Sequence, residues 1–150
     1  MIKIKSSHHA DDGFIRIAWD VTEFCEKRCH YCVSYRWLKS LKAKDTVFDI
    51  LQERIDLDDH IAKLIPKLIT KGDVCFFGGE PTLHPKGIKY FNQMCRDSHE
   101  DTNILFATHG DIDEEKIRSI DPGTKKNYII CISYHYYQVK FDEWLEKVKL

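Results

Sequence analysis

The chain has 150 residues, of which 43% are hydrophobic and 31% are charged. This balance is typical of one globular domain with its own core, and it excludes disordered, collagenous and fibrous chains. The 23 Lys and Arg residues nearly cancel the 24 Asp and Glu residues, so the net charge gives no basis for binding nucleic acid or an anionic membrane.

The N-terminal residues contain no long apolar run, and no part of the chain approaches the roughly 18 to 20 apolar residues of a membrane span. We therefore predict a cytoplasmic protein that makes no membrane contact. In that compartment the six cysteines favour metal ligands or small buried apolar residues over disulfides.

Four short apolar runs alternate with segments of helical periodicity, and this alternation predicts an α/β fold with a mainly parallel sheet. The runs cover residues 14–19, 74–77, 104–107 and 128–132, and their nearly continuous apolar character predicts burial on both faces. A capping box of Asp111 and Glu114 predicts the start of one short helix. Three further helices are indicated by apolar side chains at helical spacing, namely Ile61, Leu64, Ile65 and Leu68; Ile88, Phe91, Met94 and Cys95; Phe141, Trp144, Leu145 and Val148.

A closed eight-unit barrel needs about 250 residues. The sequence therefore predicts a partial (β/α) barrel, with a parallel sheet of about four strands and helices on the outside. We assign residues 1–150 to one domain holding the first four β/α units, with the C-terminal units missing or supplied elsewhere. The fourth strand would have an unpaired edge, which we expect an oligomeric partner or a missing segment to cover.

Cys25, Cys29 and Cys32 lie together in the loop after the first predicted strand. Three thiolates this close to one another in the sequence can face a common centre and bind zinc or an iron-sulfur cluster. A structural zinc site normally has four protein ligands, whereas three cysteines on a cubane cluster leave one iron open. His30 is a candidate fourth ligand for zinc. The remaining cysteines, Cys75, Cys95 and Cys131, are interpreted as small buried apolar residues.

Gly78, Gly79, Glu80 and Pro81 directly follow the second predicted strand. Paired glycines let a ligand approach the main chain closely. The Glu80 carboxylate is suited to holding an ammonium group. Taken alone, this segment is more typical of an ordinary strand-to-helix turn than of a ligand site.

Polar side chains also follow the other two strands, with Thr108 after the third and Ser133 and His135 after the fourth. The carboxyl ends of parallel strands share one rim, where α/β enzymes place their active sites. All four clusters are therefore predicted to form one candidate site.

The three cysteines form a Cys-x3-Cys-x2-Cys motif, with Tyr31 just before the last cysteine, and Gly-Gly-Glu-Pro follows after the next strand. This combination resembles the radical S-adenosylmethionine (SAM) enzyme family. The resemblance covers nearly the whole chain, as the first four units of that family's partial barrel. It implies a 4Fe-4S cluster held by Cys25, Cys29 and Cys32, whose open iron would chelate the amino and carboxylate groups of SAM.

The resemblance also implies the cofactor-binding residues. Gly78, Gly79 and Glu80 would face the methionine ammonium, and the Tyr31 main chain would lie near the adenine. Ser133 or His135 would lie near the ribose or the carboxylate. Pro81 and Thr108 complete the predicted cofactor-binding set, and no side chain is assigned a catalytic role. One departure is His109, which stands where family members often have asparagine in a Thr-Asn-Gly segment.

The implied reaction is reductive cleavage of SAM to methionine and a 5′-deoxyadenosyl radical, which abstracts hydrogen from an unidentified substrate. The resemblance implies an electron donor of the flavodoxin or ferredoxin type, and a small molecule or a peptide as substrate. An activase of a glycyl-radical enzyme is the alternative within the family. Outside it, the alternatives are a zinc-stabilised binding domain and a cluster-bearing electron carrier.

Overall fold

The computed structural model describes residues 2–6, 13–25, 27, 29–32, 46–110, 114–135 and 140–148. These residues form a five-stranded sheet whose strands follow chain order. The strands are β1 (Ile2–Ser6), β2 (Ile15–Thr22), β3 (Gly72–Gly78), β4 (Thr102–Thr108) and β5 (Tyr128–Ile132). Strands β2 to β5 pair in parallel, and β1 pairs with β2 in the antiparallel sense.

The prediction of four parallel strands in an open sheet is confirmed, because each apolar run lies in one of β2 to β5 and the sheet does not close. The strand β1 was not predicted. Its sequence alternates isoleucine with lysine over only five residues, a pattern that suits a short edge strand.

The helices are α1 (Thr46–Leu68), α2 (Gly87–Asp97), α3 (Glu114–Arg118) and α4 (Phe141–Val148), and a 3-10 turn covers Pro81–Leu83. Glu114 opens α3 as predicted, whereas its capping partner Asp111 lies outside the described residues. Within the described part of the chain, no helix combines the length and the apolar character needed to cross a membrane.

The buried face of α1 differs from the predicted one. Ile61 and Ile65 are buried, but Leu64 and Leu68 are 52% and 56% exposed. The core is contacted instead by Ala62, with Ile69 just beyond the helix. A small alanine lets the helix approach the sheet closely, so the contact face is rotated away from the larger leucines. Phe141 of α4 is also exposed, in contrast to the prediction for that helix.

The core lies between one face of the sheet and helices α1 and α2. Buried residues alternate along β2, β3 and β4, with partly buried residues between them. Aromatic rings fill its centre: Trp19 lies 5.1 Å from Phe76 and 5.4 Å from Tyr90, measured between ring centroids. The prediction of burial on both faces is wrong, because fully buried residues alternate with partly buried ones along these strands, and the core helices α1 and α2 cover one face.

Strand β5 is less covered than β2, β3 and β4. Ile129 is 53% exposed, and Tyr128 and Ile132 are also exposed. Cys131 is exposed as well, so its interpretation as a buried residue is wrong, while Cys95 is buried and Cys75 is half-buried. The difference follows from position: Cys95 lies on the core side of α2, and Cys131 lies on an edge strand.

Candidate functional site

Backbone hydrogen bonds join the loops at the carboxyl ends of the parallel strands. The Gly79 amide donates to the Thr22 carbonyl at 2.6 Å, and the Glu80 amide donates to the Phe24 carbonyl at 2.7 Å. On the other side, the Ser133 amide donates to the Thr108 carbonyl at 2.8 Å. The segments after β2 and β3 are therefore held together immediately before Cys25.

The paired glycines are required by this contact. A Cβ atom at Gly78 would lie 2.2 Å from the Thr22 carbonyl oxygen, and one at Gly79 would lie 2.2 Å from the Phe24 carbonyl oxygen. Gly78 also has a φ of +128°, which L side chains rarely adopt. The close approach made by these glycines is thus to the chain leading into the cysteine loop.

The Glu80 carboxylate is 1% exposed and lies at the centre of the rim. Its Oε1 accepts hydrogen bonds from the Thr82 amide at 3.1 Å, the Thr82 hydroxyl at 2.6 Å and the Thr108 hydroxyl at 2.9 Å. Its Oε2 accepts from the His109 amide at 2.8 Å. These four donors are neutral groups, so they stabilise the negative charge without cancelling it.

His109 directly follows Thr108 at the end of β4, and its imidazole also faces Glu80. Nε2 of His109 is 3.3 Å from Glu80 Oε2, and the residue is buried. The residue thus contacts one carboxylate oxygen through both its backbone amide and its side chain. His109 therefore holds the Glu80 carboxylate, which follows β3, against the end of β4.

The three clustered cysteines are free thiols in the loop that follows β2. Cys29 is 5% exposed, and Cys25 and Cys32 are half-buried. The Cys32 amide donates to the Cys29 carbonyl at 2.9 Å, which forms a turn between them. Tyr31, within that turn, is 48% exposed.

His135 connects the cysteine loop to the segment after β5. Its Nδ1 lies 3.4 Å from Cys29 Sγ and 3.1 Å from the Tyr31 hydroxyl. Burial lowers the pKa of His135, as do the nearby His109 and Lys27, while Glu80 opposes them. Of the other predicted residues, Ser133 has an exposed side chain and Pro81 is buried at the start of the 3-10 turn.

The chemistry of the cysteine loop fits an iron-sulfur cluster. Thiolates are the ligands that soft iron-sulfur centres prefer, and the loop offers three of them. The three sulfurs are not yet close enough to hold a metal together, because no three His, Cys, Asp or Glu side chains of the described residues form a metal-binding group. Cluster binding therefore requires the sulfur atoms to draw together around the buried Cys29.

Sequence reasoning missed a buried polar group beneath the rim. Asp58 of α1 is fully buried, and its Oδ1 accepts from Trp19 Nε1 at 3.2 Å and from Arg54 Nε at 3.1 Å. His84, just after the 3-10 turn, is 3% exposed and faces the same carboxylate. An aspartate within the apolar face of α1 was the available signal, but its partners are far apart in the sequence.

Comparison with known proteins gives one match. The family model of the Radical SAM superfamily matches residues 19–148, which is most of the chain and includes both the cysteine loop and the Gly-Gly-Glu-Pro segment. Searches of curated proteins and of solved structures gave no match. Because the family model covers far more than half of the sequence, the chain belongs to the Radical SAM superfamily.

Proposed function

We propose that this protein is an enzyme that binds a 4Fe-4S cluster and SAM and cleaves SAM reductively to start a radical reaction. The observation that carries the proposal is the joining of two segments: the chain entering the cysteine loop is hydrogen-bonded to the Gly-Gly-Glu turn through Phe24 and Glu80, at 2.7 Å. A cluster on the cysteines would therefore lie beside the residues assigned to SAM.

Cys25, Cys29 and Cys32 would hold the cluster and leave one iron open for SAM. When bound, the cluster supplies one electron to the sulfonium, and cleavage gives methionine and a 5′-deoxyadenosyl radical that abstracts hydrogen from the substrate. The buried position of Cys29 would exclude water from one side of the cluster.

The Gly78–Glu80 turn suits the methionine ammonium because that group only donates hydrogen bonds. The amides of Gly79 and Glu80 are already committed to carbonyls of the cysteine-loop segment, and the Glu80 carbonyl accepts from the Leu83 amide at 3.0 Å. The group that the turn offers to a cation is therefore the Glu80 carboxylate. The negative charge of Glu80, surrounded by neutral donors, favours a cation. Thr108 and Pro81 would hold this turn in place.

The rest of SAM would extend along the rim, with adenine near the Tyr31 main chain and the ribose or carboxylate near Ser133 or His135. The substrate would be a small molecule or a peptide, and a flavodoxin or ferredoxin would supply the electron. We further propose a cytoplasmic location, which is supported by the absence of disulfides among the described cysteines.

The test is anaerobic reconstitution with iron and sulfide, followed by addition of dithionite and SAM and detection of 5′-deoxyadenosine. We expect the product from the wild-type chain and from Cys131→Ala, whose thiol lies on the exposed edge strand, and none from Cys29→Ala. Failure to form 5′-deoxyadenosine at full iron content would contradict the proposal. Tight binding of one zinc ion without uptake of iron would favour a zinc-stabilised domain.

A further inference from the structure

The imidazole of His135 spans the rim between strands that are not neighbours. It follows β5, whereas Cys29 and Tyr31 follow β2, and strands β3 and β4 lie between them in the sheet. Nδ1 of His135 nevertheless lies 3.4 Å from Cys29 Sγ, a distance at which a nitrogen and a sulfur form a hydrogen bond, and 3.1 Å from the Tyr31 hydroxyl. One ring nitrogen thus contacts two residues of the cysteine turn, Cys29 and Tyr31.

The direction of the hydrogen bond to Cys29 depends on the state of the sulfur. A free thiol has a hydrogen of its own, so it can donate to an unprotonated Nδ1 or accept from a protonated one. A cysteine that ligates iron is a thiolate and only accepts. Metal binding therefore selects the His135 tautomer in which Nδ1 carries the hydrogen and donates a hydrogen bond to Cys29. Toward this N–H, the Tyr31 hydroxyl can act only as an acceptor.

We propose that His135 is a positioning residue for the cluster: its Nδ1–H donates a hydrogen bond to the Cys29 sulfur and raises the reduction potential. This inference rests on the proposed function. Hydrogen bonds to ligating sulfurs stabilise the additional negative charge of the reduced cluster, and they are one of the factors that set its potential. The burial of Cys29 strengthens the effect, because little water competes for the sulfur.

This role differs from contact with the ribose or carboxylate of SAM, which the family resemblance allows for the same residue. A hydrogen bond to the cluster acts whether or not SAM is present. A contact with SAM changes only SAM affinity. The two roles are therefore separated by measuring the cluster alone.

The experiment is a redox titration of the reconstituted protein without SAM, monitored by electron paramagnetic resonance. The iron and sulfide content is determined for each variant. His135→Asn retains an N–H close to the position of Nδ1, His135→Gln moves the donor to the position of Nε2, and His135→Leu removes it. We expect a potential close to the wild-type value for His135→Asn and more negative potentials for the other two. Tyr31→Phe is the matched control, because it removes a hydroxyl beside the same nitrogen and should not lower the potential.

Equal potentials for wild-type, His135→Gln and His135→Leu at full iron content would overturn this inference and leave the proposed function intact. A wild-type chain that takes up no iron would overturn both. If His135→Leu does not fold, the comparison of His135→Asn with His135→Gln decides the question, because both keep a polar amide and differ in where the donor lies.

Discussion

The Asp58 carboxylate and the His84 imidazole face each other at 3.7 Å, from Oδ2 to Nε2, with both side chains fully buried. This separation is too long for a hydrogen bond, and neither atom has a hydrogen-bond partner among the described residues. Nδ1 of His84 accepts from the Lys86 amide at 3.0 Å, so the ring hydrogen of the neutral imidazole is on Nε2. The pair links α1 to the turn that carries Glu80.

We predict that His84 makes the protein less stable in mild acid. Burial lowers the pKa of His84, with Arg54 and Lys86 acting in the same direction and Asp58 and Asp59 opposing it. Protons then bind more readily to the unfolded chain, whose histidine has a pKa of about 6.5. The His84 contribution is complete above that value and is lost as the pH falls toward the folded pKa, by at most about 1.4 kcal/mol per pH unit.

The measurement is urea unfolding at several pH values between about 5 and 8. His84→Gln should flatten the pH dependence of the free energy of unfolding over this interval. His60→Gln is the control for replacing a histidine by glutamine, because His60 is exposed on α1. Identical profiles for wild-type and His84→Gln would contradict the prediction.

Glu80→Gln should destabilise the fold as well as weaken SAM binding. An amide can accept from the two threonines through its oxygen, but its NH2 group then meets the His109 amide that now donates to Oε2. An unsatisfied buried donor costs about 1–3 kcal/mol. Urea unfolding would measure this loss, with exposed Glu143→Gln on α4 as the control; equal stability of the two variants would rule out the buried acceptor role.

Gly79→Ala tests whether the glycine serves the contact between the two segments of the site. The added Cβ would overlap the Phe24 carbonyl at 2.2 Å, and we expect a loss of about 3 kcal/mol, the upper end for overpacking. Gly13→Ala is the control: no atom of the described residues lies within 4 Å of its added Cβ, so we expect only the backbone penalty of about 1–2 kcal/mol. Displacement of the loop should also reduce iron uptake by Gly79→Ala, which Gly13→Ala should retain.

Differences among the thiols can be followed by alkylation and mass spectrometry. Burial raises the pKa of Cys95 to about 11, so Cys95 should react last in the folded, metal-free protein. Cys131 is exposed and should react early. Iron loading should protect Cys25, Cys29 and Cys32 and leave Cys131 reactive; protection of Cys131 instead would contradict the proposed ligand set.

The sequence was sufficient to predict the parallel strands because each is a short apolar run and helical segments separate one run from the next. It did not predict β1, whose alternation of isoleucine and lysine is short and resembles a polar N-terminal tail. The buried face of α1 was also predicted wrongly. Hydrophobicity alone ranks Leu64 above Ala62, whereas close packing on the sheet favours the smaller side chain.

For the site, the order of motifs along parallel strands was enough to bring Glu80 and Thr108 to one rim, where they are hydrogen-bonded. The contact between Cys29 and His135 could not be derived, because it depends on how far the sheet curves between β2 and β5. The role of Gly79 toward Phe24 was likewise hidden, since a glycine needed by its own chain looks the same in sequence as one needed by a ligand.

The two edge strands of the sheet differ in how well they are protected against pairing with another chain. Strand β1 carries Lys3 and Lys5, and lysines on an edge strand discourage pairing with another chain. Strand β5, at the opposite edge, has no charged residue and exposes Ile129. We therefore predict that the protein self-associates through β5 as its concentration rises.

Ile129→Lys should weaken this association about tenfold or more, because burial of an isoleucine side chain contributes roughly 1.5–3 kcal/mol. Sedimentation velocity over a range of concentrations would measure the change. Leu64→Lys removes a similarly exposed apolar side chain from helix α1, where no strand edge is available. It should leave association unchanged, so an equal effect of both substitutions would indicate nonspecific hydrophobic contact and contradict pairing through β5.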